Sequence, residues 1–415
     1  MLGFVWRQLV WLLAAAASGG GALWFIYAER WSLQTTARLE AISPVLPALA
    51  VGLGMVVIMR LRDLVFPGTH GTGIPQAIAA LQMSEGPDRA RVLSLRILVG
   101  KVLLLTLALF AGATVGREGP SVHVAACCLY LAHRLAAFST PHVERGLILA
   151  GGAAGIAAAF NAPISGIIFA FEEIGRSFEK ANVSLIVRSV LVACLVCLAL
   201  LGPYLFYGQV DVGLRSLREW LWVPVIGVGG GLLGGLFARL VIEVMPRVTR
   251  LGRRRPYIVA GSLGLALAVL GLLSGGQSYG AGDAQARVAL LGGEALPWTY
   301  PLVKAAASLI SLVSAIPGGL FTPSLSIGAA LGALCAPFAD GVAREAIVLL
   351  AMAAYFCGVV QSPITAAVIV VEMTGGRGLV LPLLATTLIA YHASRLLCPT
   401  PLYEALARAF TQRTT

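Results

Sequence analysis

Charge is what this chain has least of. Asp, Glu, Lys and Arg make up 12% of its 415 residues, while 58% are hydrophobic; soluble globular chains carry about 25% charged residues. Mean hydropathy is +0.87. Uncharged runs cover Leu9–Ala28, Ser189–Val210, Pro256–Gly282, Ala305–Ala339 and Ala346–Val371. Roughly 20 apolar residues cross a bilayer, so these runs exclude a soluble protein and predict a polytopic, all-α membrane protein.

Other absences narrow the function. There is no soluble basic domain, so the net charge of +11 does not mark a nucleic-acid-binding face. The basic residues concentrate instead in polar stretches, chiefly Arg247, Arg250, Arg253, Arg254 and Arg255, and secondly Arg89, Arg91 and Arg96. By the positive-inside rule these face the cytoplasm. The seven cysteines form no framework, and Cys194 and Cys197 lie in an apolar helix without a neighbouring His or acid. No nucleophile–base set, metal-ligand spacing or phosphate loop is present, so the chain reads as no enzyme and needs no metal or cofactor. No small-residue cleavage site follows the first apolar run, which is expected to stay as a helix.

The most informative stretch is Gly116-Arg117-Glu118-Gly119-Pro120, between two apolar runs. An ionisable residue at such depth is a functional-site hypothesis by default. Pro120 suits the first turn of a helix, so the stretch reads as a helix N-terminus inside the membrane. Such an end offers free N–H groups and positive potential to an anion, and Glu118 holds a carboxylate that would compete for the same place. The alternative is a Glu–Arg pair closing a tight turn.

Pro67 to Gln76 is too dense in Gly and Pro for a spanning helix. It predicts irregular backbone, tolerated at membrane depth only where it lines a cavity or is buried in protein, and then a short helix near 75–83. Thr72, between Gly71 and Gly73, either reaches an anion or caps a loop turn. Helices are expected over 4–28 and 45–59, joined by a polar stretch holding Glu29, Arg30, Arg38 and Glu40. Others are expected over 98–115, 121–138, 184–208, 221–246, 257–275, 299–315, 322–339, 345–356, 363–373 and 378–396. A basic loop is expected at 84–97, a five-arginine loop at 247–255, and a break at Asn161-Ala162-Pro163. The tail from Pro399 to Thr415 is expected to be helical, with no soluble regulatory domain after it.

The two halves resemble each other. Gly71-Thr72-Gly73 recurs as Gly280-Ala281-Gly282, Lys101 before Pro120-Ser121 as Lys304 before Pro323-Ser324, and Asn161-Ala162-Pro163-Ile164-Ser165 as Gln361-Ser362-Pro363-Ile364-Thr365. The last two segments each run to an acid, Glu172 or Glu372. Paired broken helices in two halves point to a substrate site between them. The boundaries read as 1–208 and 209–415 within one transmembrane domain, 1–415. Placing both basic stretches in the cytoplasm favours inverted repeats.

These motifs resemble the CLC family of chloride channels and chloride/proton antiporters, of the prokaryotic type without CBS domains. Gly71-Thr72-Gly73-Ile74-Pro75 is similar to its GSGIP motif, Gly116 to Pro120 matches GREGP, and Gly319-Leu320-Phe321-Thr322-Pro323 is similar to GxFxP. Tyr403 sits where the family places a tyrosine. The resemblance implies two inverted repeats with about eighteen helices, several of them non-spanning. It implies a homodimer with one pathway per subunit, in a bacterial inner membrane, with cytoplasmic termini and lipid around it. It also implies a voltage-sensitive exchange of chloride for protons. Thr72 and Tyr403 would offer hydroxyls to a central anion, and Leu320 and Phe321 their backbone N–H groups. Glu118 would gate and Glu173 would pass protons on the inner side, with Gly71, Gly73, Pro75, Gly116, Arg117, Gly119, Pro120, Gly319 and Pro323 supporting. Arg117 is expected to brace its loop, Glu172 to be structural, His123 to pack or hydrogen-bond, and Lys101 and Lys304 to act structurally. Thr72 replaces the usual serine and keeps the hydroxyl; nitrate-preferring relatives have proline there, and fluoride exporters another residue. The alternatives on the same fold are a passive chloride channel and an antiporter preferring fluoride or nitrate. With no CBS pair in the sequence, nucleotide regulation of the usual kind is not expected.

Overall fold

The computed structural model describes residues 2–83, 87–136, 141–175, 180–292 and 295–411. Among them the chain forms nineteen α-helical segments, two of them single turns of four residues. The first half holds α1 Leu2–Ile42, α2 Val45–Leu64, α3 Ile74–Gln82, α4 Pro87–Ala90, α5 Leu95–Phe110, α6 Glu118–Ala136, α7 Pro141–Phe160, α8 Pro163–Phe169 and α9 Lys180–Leu201. Then follow α10 Leu217–Trp220, α11 Trp222–Arg254, α12 Pro256–Leu273, α13 Asp283–Leu291, α14 Tyr300–Val313, α15 Phe321–Cys335, α16 Arg344–Val360, α17 Pro363–Thr374, α18 Val380–Leu397 and α19 Leu402–Thr411. Nine helical stretches among the described residues are long and apolar enough to cross a membrane. The protein is a multi-pass integral membrane protein.

Several expected boundaries move. The helix expected over 184–208 stops at Leu201, before Gly202 in the left-handed region and Pro203, and the one expected over 98–115 stops at Phe110. The polar stretch from Glu29 to Glu40 does not break α1, because it holds neither Gly nor Pro and Glu29 is buried in an ion pair with Arg117. The arginines from Arg247 to Arg254 lie on α11 rather than in a loop. That helix runs through Pro246 and stops at Arg255, whose φ of −137° and ψ of 66° leave the helical region before Pro256. A proline removes one ladder bond, and the remaining turns carry the helix past it. Within 84–97, α4 and the start of α5 replace the loop, residues 84–86 lying outside the described part. The helix α13, outside the expected set, begins directly after the glycine-rich stretch from Gly275 to Gly282. The tail forms α19, with 412–415 outside the described residues.

The repeated motifs have the same local structure. Gly71 and Gly73 have φ of 71° and 106°, and Gly280 and Gly282 have 65° and 98°. These left-handed pairs precede two helices of nine residues each, α3 and α13, and only glycine adopts that backbone without strain. Each turn is fastened by a buried lysine. Lys101 Nζ donates to the carbonyls of Thr69 (2.7 Å) and Gly71 (2.6 Å). Lys304 Nζ donates to those of Ser278 (3.0 Å), Tyr279 (3.2 Å) and Gly280 (2.8 Å). Each turn also crosses to the other half: Gly71 N–H donates to Ala315 O (2.9 Å) and Gly280 N–H to Gly112 O (3.4 Å). Asn161 and Gln361 share a left-handed conformation, at φ 53° and 59°, before α8 and α17. The halves thus meet through reciprocal contacts, as two parts related by a twofold do.

The core lies where α6, α7, α15 and α16 pack. Phe321, at the start of α15, is fully buried there against Phe160, Phe169 and Phe356, with ring centroids 6.3, 5.8 and 4.6 Å away.

Candidate anion site between two helix N-termini

Neither α6 nor α15 is entered by regular structure. Both follow a short extended stretch, and the two stretches pair: Gly116 N–H donates to Gly319 O (2.8 Å) and Gly319 N–H to Gly116 O (2.6 Å). The bridge brings the first turns of α6 and α15 together. The first N–H groups of a helix have no partner inside it, so two sets of donors and two positive helix ends converge. At α15 these include the N–H groups of Leu320 and Phe321, residues that are 3% and 0% exposed, while Pro323 has no donor to contribute.

Glu118 stands between the two ends. It is fully buried, and one carboxylate oxygen accepts a hydrogen bond from the Thr322 hydroxyl at the head of α15. The other, Oε2, has no partner among the described residues. A Cβ on either Gly116 or Gly319 would collide with this carboxylate. The carboxylate therefore occupies the place where the helix ends would hold an anion. The tight-turn alternative fails, because Arg117 pairs with Glu29 on α1, donates to Ala159 O (3.4 Å) and lies 5.1 Å from the Phe206 ring. It braces the loop from behind.

Thr72 and Tyr403 flank this centre. A Cβ on Gly119 would lie 2.7 Å from Thr72 O and 2.9 Å from Thr72 Cβ, so the first turn of α6 rests directly on Thr72. The Tyr403 ring packs 6.2 Å from that of Phe321. Both hydroxyls are buried, at 1% and 0% residue exposure, and neither has a hydrogen-bond partner among the described residues. A buried hydroxyl without a partner is costly, and two beside the same helix ends mark a place for an acceptor. Pro75 lies in the first turn of α3, where its missing N–H costs nothing. Gln76 donates to the His70 carbonyl and His70 stacks on Phe410 of α19 (4.8 Å), which closes the turn around Thr72.

Thr72 opens onto a cavity of about 620 Å³. Arg60, Arg62, Arg250 and Arg253 line it, with Asp63 as the acid among its lining, and Asp63 is paired to Arg62 (2.8 Å). A vestibule lined by one sign of charge concentrates counter-ions. The sequence separates these arginines by nearly two hundred positions, so their grouping was not legible before the fold.

Glu173 lies apart from Glu118, in a π-helical turn, Ala170–Ile174, that continues α8. It is 1% exposed and accepts a hydrogen bond from the Ser362 hydroxyl just before α17. Glu172 points the other way and caps α17. His123 contacts Val92 O through Nε2 (2.7 Å), a hydrogen-bonding role. Sequence reasoning missed Thr322, Ser362 and Glu29 as partners. Thr322 lay inside a recognised motif, whereas Ser362 and Glu29 carried no local signal.

Comparison with known proteins agrees with this architecture. The H(+)/Cl(-) exchange transporter ClcA of Yersinia pestis is 29% identical over 388 residues, covering 89% of this chain and 78% of that protein. The crystal structure of a slow cyanobacterial Cl-/H+ antiporter superposes with a TM-score of 0.85 at 22% identity, over 100% of this chain and 99% of that one. A CLC-type fluoride/proton antiporter superposes with a TM-score of 0.79 at 22% identity, over 97% and 96% of the two chains. The model of the voltage gated chloride channel family matches residues 53–395, and the chain belongs to that family.

Proposed function

We propose that this chain is a voltage-sensitive secondary transporter that exchanges chloride for protons, with Glu118 as the gate. The curated relatives are named for that exchange. One observation carries the reading: a buried carboxylate sits at two joined helix N-termini, beside two buried hydroxyls without partners. Thr72, Tyr403 and the N–H groups of Leu320 and Phe321 bind the anion. These donors are neutral, so chloride is held without a fixed cation and is released easily. When Glu118 is ionised it takes the anion's place. When it accepts a proton it loses its hold on the helix ends, and chloride enters. Proton and anion thus use one position alternately, which couples them.

Chloride moving one way and a proton the other carry charge in the same direction. Every cycle is therefore driven by voltage, at about 2.3 kcal/mol per charge per 100 mV. Glu173 serves as the proton station on the vestibule side, which is supported by its burial and by the lack of a counterpart in the other half, where position 373 is Met. The basic vestibule faces the cytoplasm by the positive-inside rule, and both termini lie there too, α19 lining that cavity. Residues 1–208 and 209–415 act as inverted repeats. The assembly is a homodimer in a bacterial inner membrane, with one pathway per subunit.

The test is proton movement into liposomes holding purified protein, driven by a chloride gradient without a pH gradient and with voltage set independently. Uphill proton pumping is expected. Chloride flux without protons would make the protein a channel, and flux of fluoride or nitrate alone would reassign the anion.

A further inference from the structure

Arg247, Arg250, Arg253, Arg254 and Arg255 crowd the end of α11. Two of them, Arg250 and Arg253, line the cavity that opens on Thr72, and Arg60 and Arg62 line it from α2. Arg62 is engaged, since it pairs with Asp63 and donates to the Ser314 carbonyl. The other three lining arginines keep donors to spare. Arg250 and Arg253 have neither hydrogen bond nor ion pair among the described residues. Arg60 Nε is buried without a hydrogen-bond partner among them.

Length sets the depth of these residues. The helix α11 has 33 residues, so it is about 50 Å long, while the hydrocarbon core of a bilayer is about 30 Å thick. One end must leave the hydrocarbon, and arginine is costly inside it. The basic end therefore emerges at the level of the lipid phosphates. The chain turns back at Arg255, and α12 begins at Pro256 as the next helix able to cross the membrane. Leu251, Tyr257 and Ile258 at this corner are more than half exposed, so they present apolar surface to lipid. The Tyr257 ring also carries the Arg60 guanidinium at 4.6 Å, and tyrosine is enriched at membrane–water interfaces.

The cavity is larger than a passing chloride ion requires. Its volume of about 620 Å³ is that of a site for a small organic molecule. Met245 and Val248 of α11 and Val259 of α12 line it together with the guanidinium groups. Such a lining suits an anion with an apolar body. Guanidinium groups match phosphate oxygens with parallel N–H bonds, and basic clusters next to a membrane-spanning helix recruit anionic lipid.

We propose that Arg60, Arg250 and Arg253 bind the phosphate of an anionic phospholipid at the mouth of the vestibule. The group recognised is a phosphate ester, and its source is the surrounding bilayer. Bound there, the phosphate neutralises the charge that draws anions toward Thr72, and the glycerol end of the lipid lies along the apolar wall. Anionic lipid thereby slows the entry of chloride. The binding itself stands on the arginines and the cavity, whereas its effect on transport rests on the exchange reading.

The test places purified protein in phosphatidylcholine vesicles with rising fractions of phosphatidylglycerol. Retained phosphatidylglycerol is measured by native mass spectrometry, and coupled exchange at chloride below saturation. The variant is Arg250→Gln with Arg253→Gln. Its control, Arg247→Gln with Arg254→Gln, removes the same charge from α11 outside the cavity lining. The unsubstituted protein is expected to retain phosphatidylglycerol and to slow about tenfold as its fraction rises, the low end of what a focused field adds to an on-rate. In the variant, retention falls about tenfold, the low end for a lost charge-assisted hydrogen bond, and the slowing disappears. The control keeps both. Unchanged retention in the variant would overturn the site, and so would an equal loss in variant and control, which reports diffuse surface charge. Glycerol phosphate added to phosphatidylcholine vesicles is expected to leave exchange unchanged; slowing by it and none by phosphatidylglycerol would overturn lipid as the source. Absence of coupled exchange in the unsubstituted protein would overturn the exchange reading instead, and retention would still decide the site.

Discussion

Glu172 and Glu372 cap each other's helices across the two halves. Glu172 accepts hydrogen bonds from the N–H groups of Ile364 (3.0 Å) and Thr365 (2.7 Å) at the start of α17. Glu372 accepts them from Ile164 (3.1 Å) and Ser165 (2.7 Å) at the start of α8. Each carboxylate satisfies two N–H groups that lack partners within their own helix and lies against a positive helix end. Such a pair makes the short helices interdependent, and these helices lead to the Glu173 turn and to Ser362.

Removing one cap should therefore cost stability rather than transport chemistry. Glu172→Ala or Glu372→Ala is expected to destabilise the protein by about 0.5–2 kcal/mol, the usual cost of losing a side-chain cap at a helix N-terminus. The measurement is thermal unfolding in detergent, with chloride affinity by calorimetry as the control. A Glu172→Ala protein of full stability that no longer moves protons would exchange the roles of Glu172 and Glu173.

Glu118→Gln keeps the shape of the side chain and removes its charge for good. The amide cannot take up and release a proton, and it resembles the protonated acid. Chloride flux should persist and lose its dependence on pH, while proton flux disappears. Intact coupling in this variant would remove Glu118 as the gate.

Much of this was legible in the sequence because each half spells out its breaks. Left-handed glycine pairs, X-Pro junctions after Asn161 and Gln361, and a proline in the first turn of α6 mark helix ends by local sterics alone. The long apolar runs set the class, and the motifs around Thr72, Glu118 and Phe321 indicated what converges. Contacts between distant residues were not legible. Arg117 finds Glu29, Glu118 finds Thr322, and Glu173 finds Ser362 only through the packing of the halves. Helix ends were misjudged where charge was taken as a sign of water. The arginines of α11 and the polar turn of α1 continue their helices, because charge by itself breaks no hydrogen-bond ladder.

The anion site makes a quantitative prediction. A hydrogen bond to a charged group contributes about 1.5–3 kcal/mol, or roughly 10- to 100-fold in affinity. Thr72→Ala and Tyr403→Phe should each weaken chloride binding by about that factor, and the two together by more. Calorimetry on purified protein gives the value. Unchanged affinity in the double variant would move the anion away from these hydroxyls.

Glu173 offers the sharpest test of division of labour, because it departs from the repeat. Glu172 and Glu372 correspond, and both are spent on capping. One position on, the halves differ: Glu173 in the first and Met373 in the second. The cap needs no second acid, and the site of Glu173 is nearly closed to solvent, at 1% exposure. It also sits in a π-helical turn, where the extra residue rotates the side chain off the regular helical face; such turns occur frequently at functional sites. A buried acid at that place is what the proposed proton transfer requires. Glu173→Gln should stop proton flux and leave chloride flux, chloride affinity and stability close to those of the unsubstituted protein. Ser362→Ala should slow proton flux less severely, since it removes one hydrogen bond and leaves the acid in place. Proton flux that survives Glu173→Gln would show that protons leave Glu118 by another path, and Glu173 would revert to a packing role beside α17.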